Sequence, residues 1–232
     1  MRRLFLLAIL TGSTVWSADI LTNSPAWNGS SLIGTWGDLG TPTYGETVTV
    51  PLDGNNVLSS FTFQIFSASA AIAFNGYVQN WDGAKTTGSP LFTGSGTVTG
   101  TSGAHPYTMT PNVALTPGGV YILYFSVLGI TEAAHSSTSW GSTPGDTYAG
   151  GAFFFSSADS GSSASGSIAD LNLSSWTAGA GFGAPDLAFS ATFTAPSAPE
   201  PGAVGLVLAG LAVLVSRVRR CGTPNRAARR RA

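Results

Sequence analysis

Between Ala18 and Thr194 no apolar pattern repeats at helical spacing, and that most restricts what this chain can become. A surface helix needs apolar residues three and four apart, whereas a half-buried strand alternates. Here short runs of Val, Ile, Phe, Tyr and Thr are cut at close intervals by Gly, Pro, Asn and Asp. Val57–Phe66 places Phe61, Phe63 and Ile65 on one face and Thr62 and Gln64 on the other. Before it stand Thr47–Val50, Pro51 and an Asp53-Gly-Asn-Asn56 turn; after it come Ala71–Trp81, Leu91–Val98 and Tyr107–Met109. Val120–Leu128 is apolar on both faces, which predicts a central strand covered on both sides. Ala152–Phe155 is a further buried run, and Leu187, Phe189, Ala191 and Phe193 alternate in a final half-buried strand. Roughly eight to ten strands with frequent turn signals predict an all-β fold, a single jelly-roll-like antiparallel β-sandwich over residues 18–194.

Charge and cysteine usage narrow the class further. Between Ala18 and Pro201 the only basic residue is Lys85, against eleven acids, a formal balance of −10. Such a surface has no basic patch to release counterions from DNA or RNA, so nucleic acid is excluded as a partner. The single cysteine, Cys221, lies beyond this segment, which leaves it without a disulfide, a thiolate nucleophile or a cysteine-based zinc site. A segment of ~180 residues buries enough surface to hold one core without covalent staples.

The two ends carry addresses. Arg2 and Arg3 precede an apolar Leu4–Leu10 stretch, and Val15-Trp16-Ser17 offers a cleavage site before Ala18, the pattern of a signal peptide over residues 1–17. At the other end, residues 195–201 form a Pro-rich stalk, extended and semi-rigid, with Pro196, Pro199 and Pro201. Residues 202–216 are apolar and somewhat short for a transmembrane helix, which needs ~17 to 20 residues. Snorkelling of Arg217 and Arg219 and local thinning of the bilayer would let it insert. Arg217, Arg219 and Arg220 make a basic stop, and residues 217–232 form a basic tail expected on the cytoplasmic side.

Pro199-Glu200-Pro201, the apolar run and the arginines together resemble the PEP-CTERM sorting signal of exported bacterial proteins. The resemblance covers residues 196–220 and departs from the family pattern by continuing through Cys221 to Ala232. It implies an exosortase-like membrane processing enzyme as partner and cleavage near the motif. It also implies a single-pass inner-membrane precursor and a mature form at the cell surface or outside the cell. Four further segments, Tyr44–Pro51, Leu58–Phe63, Tyr77–Gly83 and Leu115–Tyr121, resemble a β-sandwich recurrent in PEP-CTERM and other bacterial surface proteins. That resemblance implies no catalytic residues.

Chemistry-bearing residues are sparse. His105 and His135 show no metal-ligand spacing, and no serine occupies a G-x-S-x-G elbow. Asp38, Glu46, Asp82 and Glu132 sit among aromatics, as glycosidase carboxylates do, although single acids in such chains serve mostly as turn formers. No EF-hand loop is present, and no metal ligand or cofactor is assigned. Calcium held by carboxylates and carbonyls from separate loops stays open. Gly83–Gly88 has the glycines of a phosphate-binding loop but not the Lys-Ser/Thr that must follow. Ser157–Ser167 reads as a long Ser/Gly loop.

Among Trp27, Trp36, Trp81, Trp140 and Trp176, Trp81 ends a strand and is expected in the core. Trp140 and Trp176 lie in Gly/Ser surroundings and are the candidates for stacking on sugar rings. The leading expectation is therefore a non-enzymatic surface or matrix protein, structural or adhesive in exopolysaccharide. A carbohydrate-binding module using loop tryptophans is the alternative, and a secreted hydrolase the third.

Overall fold

Backbone pairing in this chain follows its β-branched and aromatic runs, and among the described residues it yields strands and three short 3-10 turns without an α-helix. A computed structural model describes residues 17–100, 102–131, 136–157 and 166–197. The chain divides after Pro196, and the fold is that of the first unit. The signal-peptide, PEP-motif, transmembrane and basic-tail expectations, with Pro199, Glu200, Pro201, Arg217, Arg219 and Arg220, lie outside the described residues. No helix among the described residues is long and apolar enough to cross a membrane.

Two antiparallel sheets form a β-sandwich. The first is built from β1 (Asp19–Thr22), β2 (Leu32–Gly37), β4 (Val57–Phe66), β7 (Ala104–Met109), β8 (Val113–Ala114), β10 (Ser137–Thr143), β13 (Asp186–Leu187) and β14 (Phe189–Thr194). The second runs β12 (Thr177–Ala178), β11 (Phe153–Ser156), β3 (Thr43–Thr49), β9 (Val120–Ser126), β5 (Ile72–Trp81), β6 (Thr86–Val98). Every strand pair in either sheet is antiparallel. β4 organises the first sheet, with β14 along one edge and β7 along the other, so Phe63 stands opposite both Phe189 and Tyr107.

The period-2 rule puts alternate residues on one face, and the inner faces meet in an aromatic core. Phe63 from β4 packs edge-on against Phe125 from β9 at 5.2 Å, and Phe125 stacks on Phe74 from β5 at 4.5 Å. Trp140 from β10 fills the middle, 5.0 Å from Phe63, 5.2 Å from Trp36 and 5.6 Å from Tyr44. Each such pair contributes about 0.5–1.5 kcal/mol beyond the area it buries. Continuous ring contact replaces the disulfides this segment lacks.

β9 is a central strand, paired with β3 on one side and β5 on the other and buried from Tyr121 to Ser126. Elsewhere the strands outrun their expected bounds. β3 begins at Thr43 rather than Thr47, because Thr43–Glu46 is paired with β9 and β11 on both edges and neighbours satisfy a backbone whose side chains signal weakly. β10, Ser-Thr-Ser-Trp-Gly-Ser-Thr, has no strand pattern at all. It is fixed by β2, by the insertion of Trp140, and by Thr138, whose hydroxyl donates to the carbonyl of Phe66 at 2.7 Å. Of the Ser157–Ser167 loop, residues 158–165 lie outside the description, while Ser167 caps the 3-10 turn Ile168–Asn172 through a reciprocal bond with Asp170.

Candidate functional site

The outer face of the second sheet carries the chain's most distinctive surface. β5 presents Tyr77, Gln79 and Trp81 there, β9 presents Ile122 and Tyr124, and β11 presents Phe154, positions fixed by the pairings Tyr77↔Tyr124, Gln79↔Ile122 and Phe154↔Gly45. Gly45 is needed at its place: a Cβ there would stand 2.6 Å from the Cβ of Tyr124. Residues 166–184 fold over part of this face. Leu171 and Trp176 are buried against it, with the Trp176 ring 5.3 Å from Tyr124 and 5.6 Å from Trp81.

A polar seam fastens this cover. The Tyr124 hydroxyl donates to Gln79 Oε1 at 2.7 Å, and Gln79 Nε2 donates to Gly88 O and to Asn172 Oδ1. Trp176 Nε1 donates to Leu171 O at 3.1 Å, and its backbone N–H donates to Ala84 O at 2.8 Å. Burial pushes the Tyr124 hydroxyl far above the usual tyrosine value, so it stays a donor at any ordinary pH.

Where the cover ends, a shallow groove of about 430 Å³ opens, lined by Trp81, Phe154, Thr47, Thr49, Asp82 and Val120 with neighbouring glycines. Trp81 and Phe154 are half-buried, their rings 4.8 Å apart and tilted by 49°. The threonine hydroxyls are committed to the neighbouring backbone, Thr47 Oγ1 to Ala152 O at 3.2 Å and Thr49 Oγ1 to Gly150 O at 2.7 Å. Asp82 Oδ1 accepts the N–H groups of Ala84 and Lys85 at 2.9 and 2.8 Å. Those two bonds, with the charge of Lys85 adding, hold its carboxyl below the usual aspartate range. The groove thus offers two aromatic rings, the Val120 side chain and one fixed carboxylate that can accept hydrogen bonds.

The tryptophans are distributed otherwise than expected. Trp140 is 0% exposed and Trp176 5%, so neither ring can stack on a sugar; this corrects both candidates. Trp140 lies in a strand rather than a loop, and Trp176 is sealed under its own segment. Trp36 is also core, and Trp27 is half-buried, donating from Nε1 to Ser31 O at 2.7 Å. Trp81, expected in the core, reaches the groove because it is the last residue of β5, on the outer face.

The three described acids, Asp38, Glu46 and Asp82, occupy separate places. Asp38 accepts the Ser136 N–H at 2.8 Å, Glu46 is sealed inside the sandwich, Asp82 sits on the groove rim, and Glu132 lies outside the described residues. His105 Nε2 lies 3.2 Å from Ser102 O, and His135 is outside the description. The groove lining holds one carboxylate and no histidine. Among the described residues no group of three or more His, Cys, Asp or Glu side chains is placed to hold a metal.

No family model matches the chain. No curated protein matches it. Among solved structures it is similar to the cysteine protease and lectin-like domains of Cwp84, a surface layer associated protein of Clostridium difficile, at 12% identity and a TM-score of 0.42. The match covers 68% of this chain and 33% of that one.

Proposed function

We propose that the protein is a non-enzymatic exported component of the cell surface or extracellular matrix, a jelly-roll-type sandwich sorted through a PEP-CTERM signal. The observation that carries the sorting route is the order of three elements, Pro199-Glu200-Pro201, the apolar residues 202–216, and Arg217, Arg219 and Arg220. An exosortase-like enzyme would process a single-pass precursor there, and the mature domain would act structurally or adhesively in exopolysaccharide. Intact-mass measurement tests the route. A mature chain beginning near Ala18 and ending near Pro199–Pro201 is expected, and one still ending at Ala232 overturns the sorting proposal.

A second reading, a carbohydrate-binding module, is favoured by the groove, though through Trp81 rather than through Trp140 and Trp176. Affinity electrophoresis in gels containing the organism's own exopolysaccharide should retard the wild type. Trp81→Ala should migrate as in a polysaccharide-free gel. Equal retardation of both removes the groove from the account.

A further inference from the structure

Two carboxylates are closed inside the sandwich with no cationic side chain beside them among the described residues. Glu46 projects from the core face of β3, between Leu123 of β9 and Phe153 of β11, and Asp186 stands in β13 opposite Thr143 of β10. Both residues are 0% exposed. Each uses one oxygen: Glu46 Oε2 accepts the Leu187 N–H at 2.9 Å. Asp186 Oδ2 accepts the Thr147 N–H at 2.7 Å, the Tyr148 N–H at 3.0 Å and the Thr147 hydroxyl at 3.1 Å. The other two oxygens, Glu46 Oε1 and Asp186 Oδ1, are buried without any hydrogen-bond partner. Leaving such atoms unmatched is costly, and more so for a charged group than for a neutral one.

No side chain here can repair this. The segment from Ala18 to Pro201 contains one basic residue, Lys85, and its charge acts on Asp82 in an exposed turn. A third acid, Asp146, belongs to the loop 144–148 that wraps Asp186, and its charge acts on Glu46 together with that of Asp186. The side-chain polar groups of this loop are all oxygens. The Thr147 hydroxyl lies 3.1 Å from Thr143 Oγ1, which donates to Gly145 O at 3.0 Å. Tyr148, the remaining titratable neighbour, accepts the Thr49 N–H at its hydroxyl.

We propose that Glu46 Oε1 and Asp186 Oδ1 are the two carboxylate ligands of a structural calcium ion, with hydroxyl and carbonyl oxygens of residues 143–147 completing the shell. The donor set decides the class: oxygen alone, with no nitrogen or sulfur, selects a hard divalent cation over zinc or copper. Calcium fits better than magnesium, because calcium accepts irregular shells of six to eight oxygens whereas magnesium demands a near-ideal octahedron. The ion would tie three separated parts of the chain, β3, the 144–148 loop and β13, without a disulfide. It is independent of the groove and of the sorting route.

The test is thermal unfolding of the full chain in EDTA, in calcium and in magnesium, alongside direct binding of terbium. Saturating calcium should raise the midpoint by at least ~4 °C over EDTA, magnesium should raise it less, and terbium luminescence should be quenched by added calcium. Glu46→Gln and Asp186→Asn should each abolish both responses. Should a variant fail to fold, the terbium titration of the wild type still decides. Absence of terbium binding together with identical midpoints in EDTA and calcium overturns the proposal. So do calcium responses that survive in both variants, because the ion then sits elsewhere.

Discussion

At the residue scale, the central tryptophan separates packing from polarity. Trp140 is enclosed by Trp36, Tyr44, Phe63 and Phe125, yet its indole N–H has no hydrogen-bond partner. Trp140→Ala should cost ~3–5 kcal/mol, the usual range for emptying so large a site. Trp140→Phe removes the unmatched N–H, a burden of about 1–3 kcal/mol, and should cost less than half as much; urea unfolding midpoints check the ratio. Glu46 gives a pH dependence. Burial pushes its carboxyl well above the usual value of 4.5, the Leu187 N–H opposes this, and the Asp186 and Asp146 charges add to it. Below pH 4.5 folded and unfolded chains both hold the proton; above it only the folded chain does. The unfolded state then binds fewer protons, so stability must fall as pH rises from there toward the folded value. In EDTA the melting midpoint should decline over this window, and Glu46→Gln should flatten the decline. His135 and Glu132 fall outside the described residues, and nothing follows from them.

At the element scale, strand type was legible and strand environment was not. Val57–Phe66 and Val120–Leu128 declared themselves because alternation, or its absence, reports directly which faces are buried. The same pattern left open what covers the second face of β9. The cover comes from Leu171 and Trp176, within a Ser/Gly-rich stretch that carries almost no periodicity. Its stability should be separable from that of the sandwich. Trp176→Ala removes ring contacts to Tyr124 and Trp81 and the bond from Trp176 Nε1 to Leu171 O. Hydrogen exchange should then show protection lost at residues 166–184, with β9 amides little changed because β3 and β5 still pair with them. Equal loss across β9 would mean that cover and sheet unfold as one unit. The groove was missed for a related reason: it exists where the cover stops, at the last residue of β5, and an end point in space leaves no local mark in composition.

For the whole molecule, charge placement and fold answer different questions. Nine of the ten basic residues lie outside Ala18–Pro201, a segregation that composition averaged over the chain conceals. If residues 199–201 direct processing, replacing Pro199-Glu200-Pro201 with alanines should leave the precursor in the membrane fraction. Wild-type chain should then dominate the extracellular or surface fraction, as immunoblots of fractionated cells would show. Alternation, turn residues and the absence of cysteine between Ala18 and Pro201 marked that segment as all-β and disulfide-free in advance, because these are local properties that each segment carries alone. Which tryptophans face solvent was settled by tertiary contact. Trp140 and Trp81 differ in exposure through the strand and face each occupies; loop-like neighbours misstate Trp140, and a place at the end of a strand misstates Trp81. The meeting of Glu46 with Asp186, 140 positions later in the chain, is likewise a product of sheet register. Single acids separated by that distance bear no mark of each other until β3 and β13 are brought together.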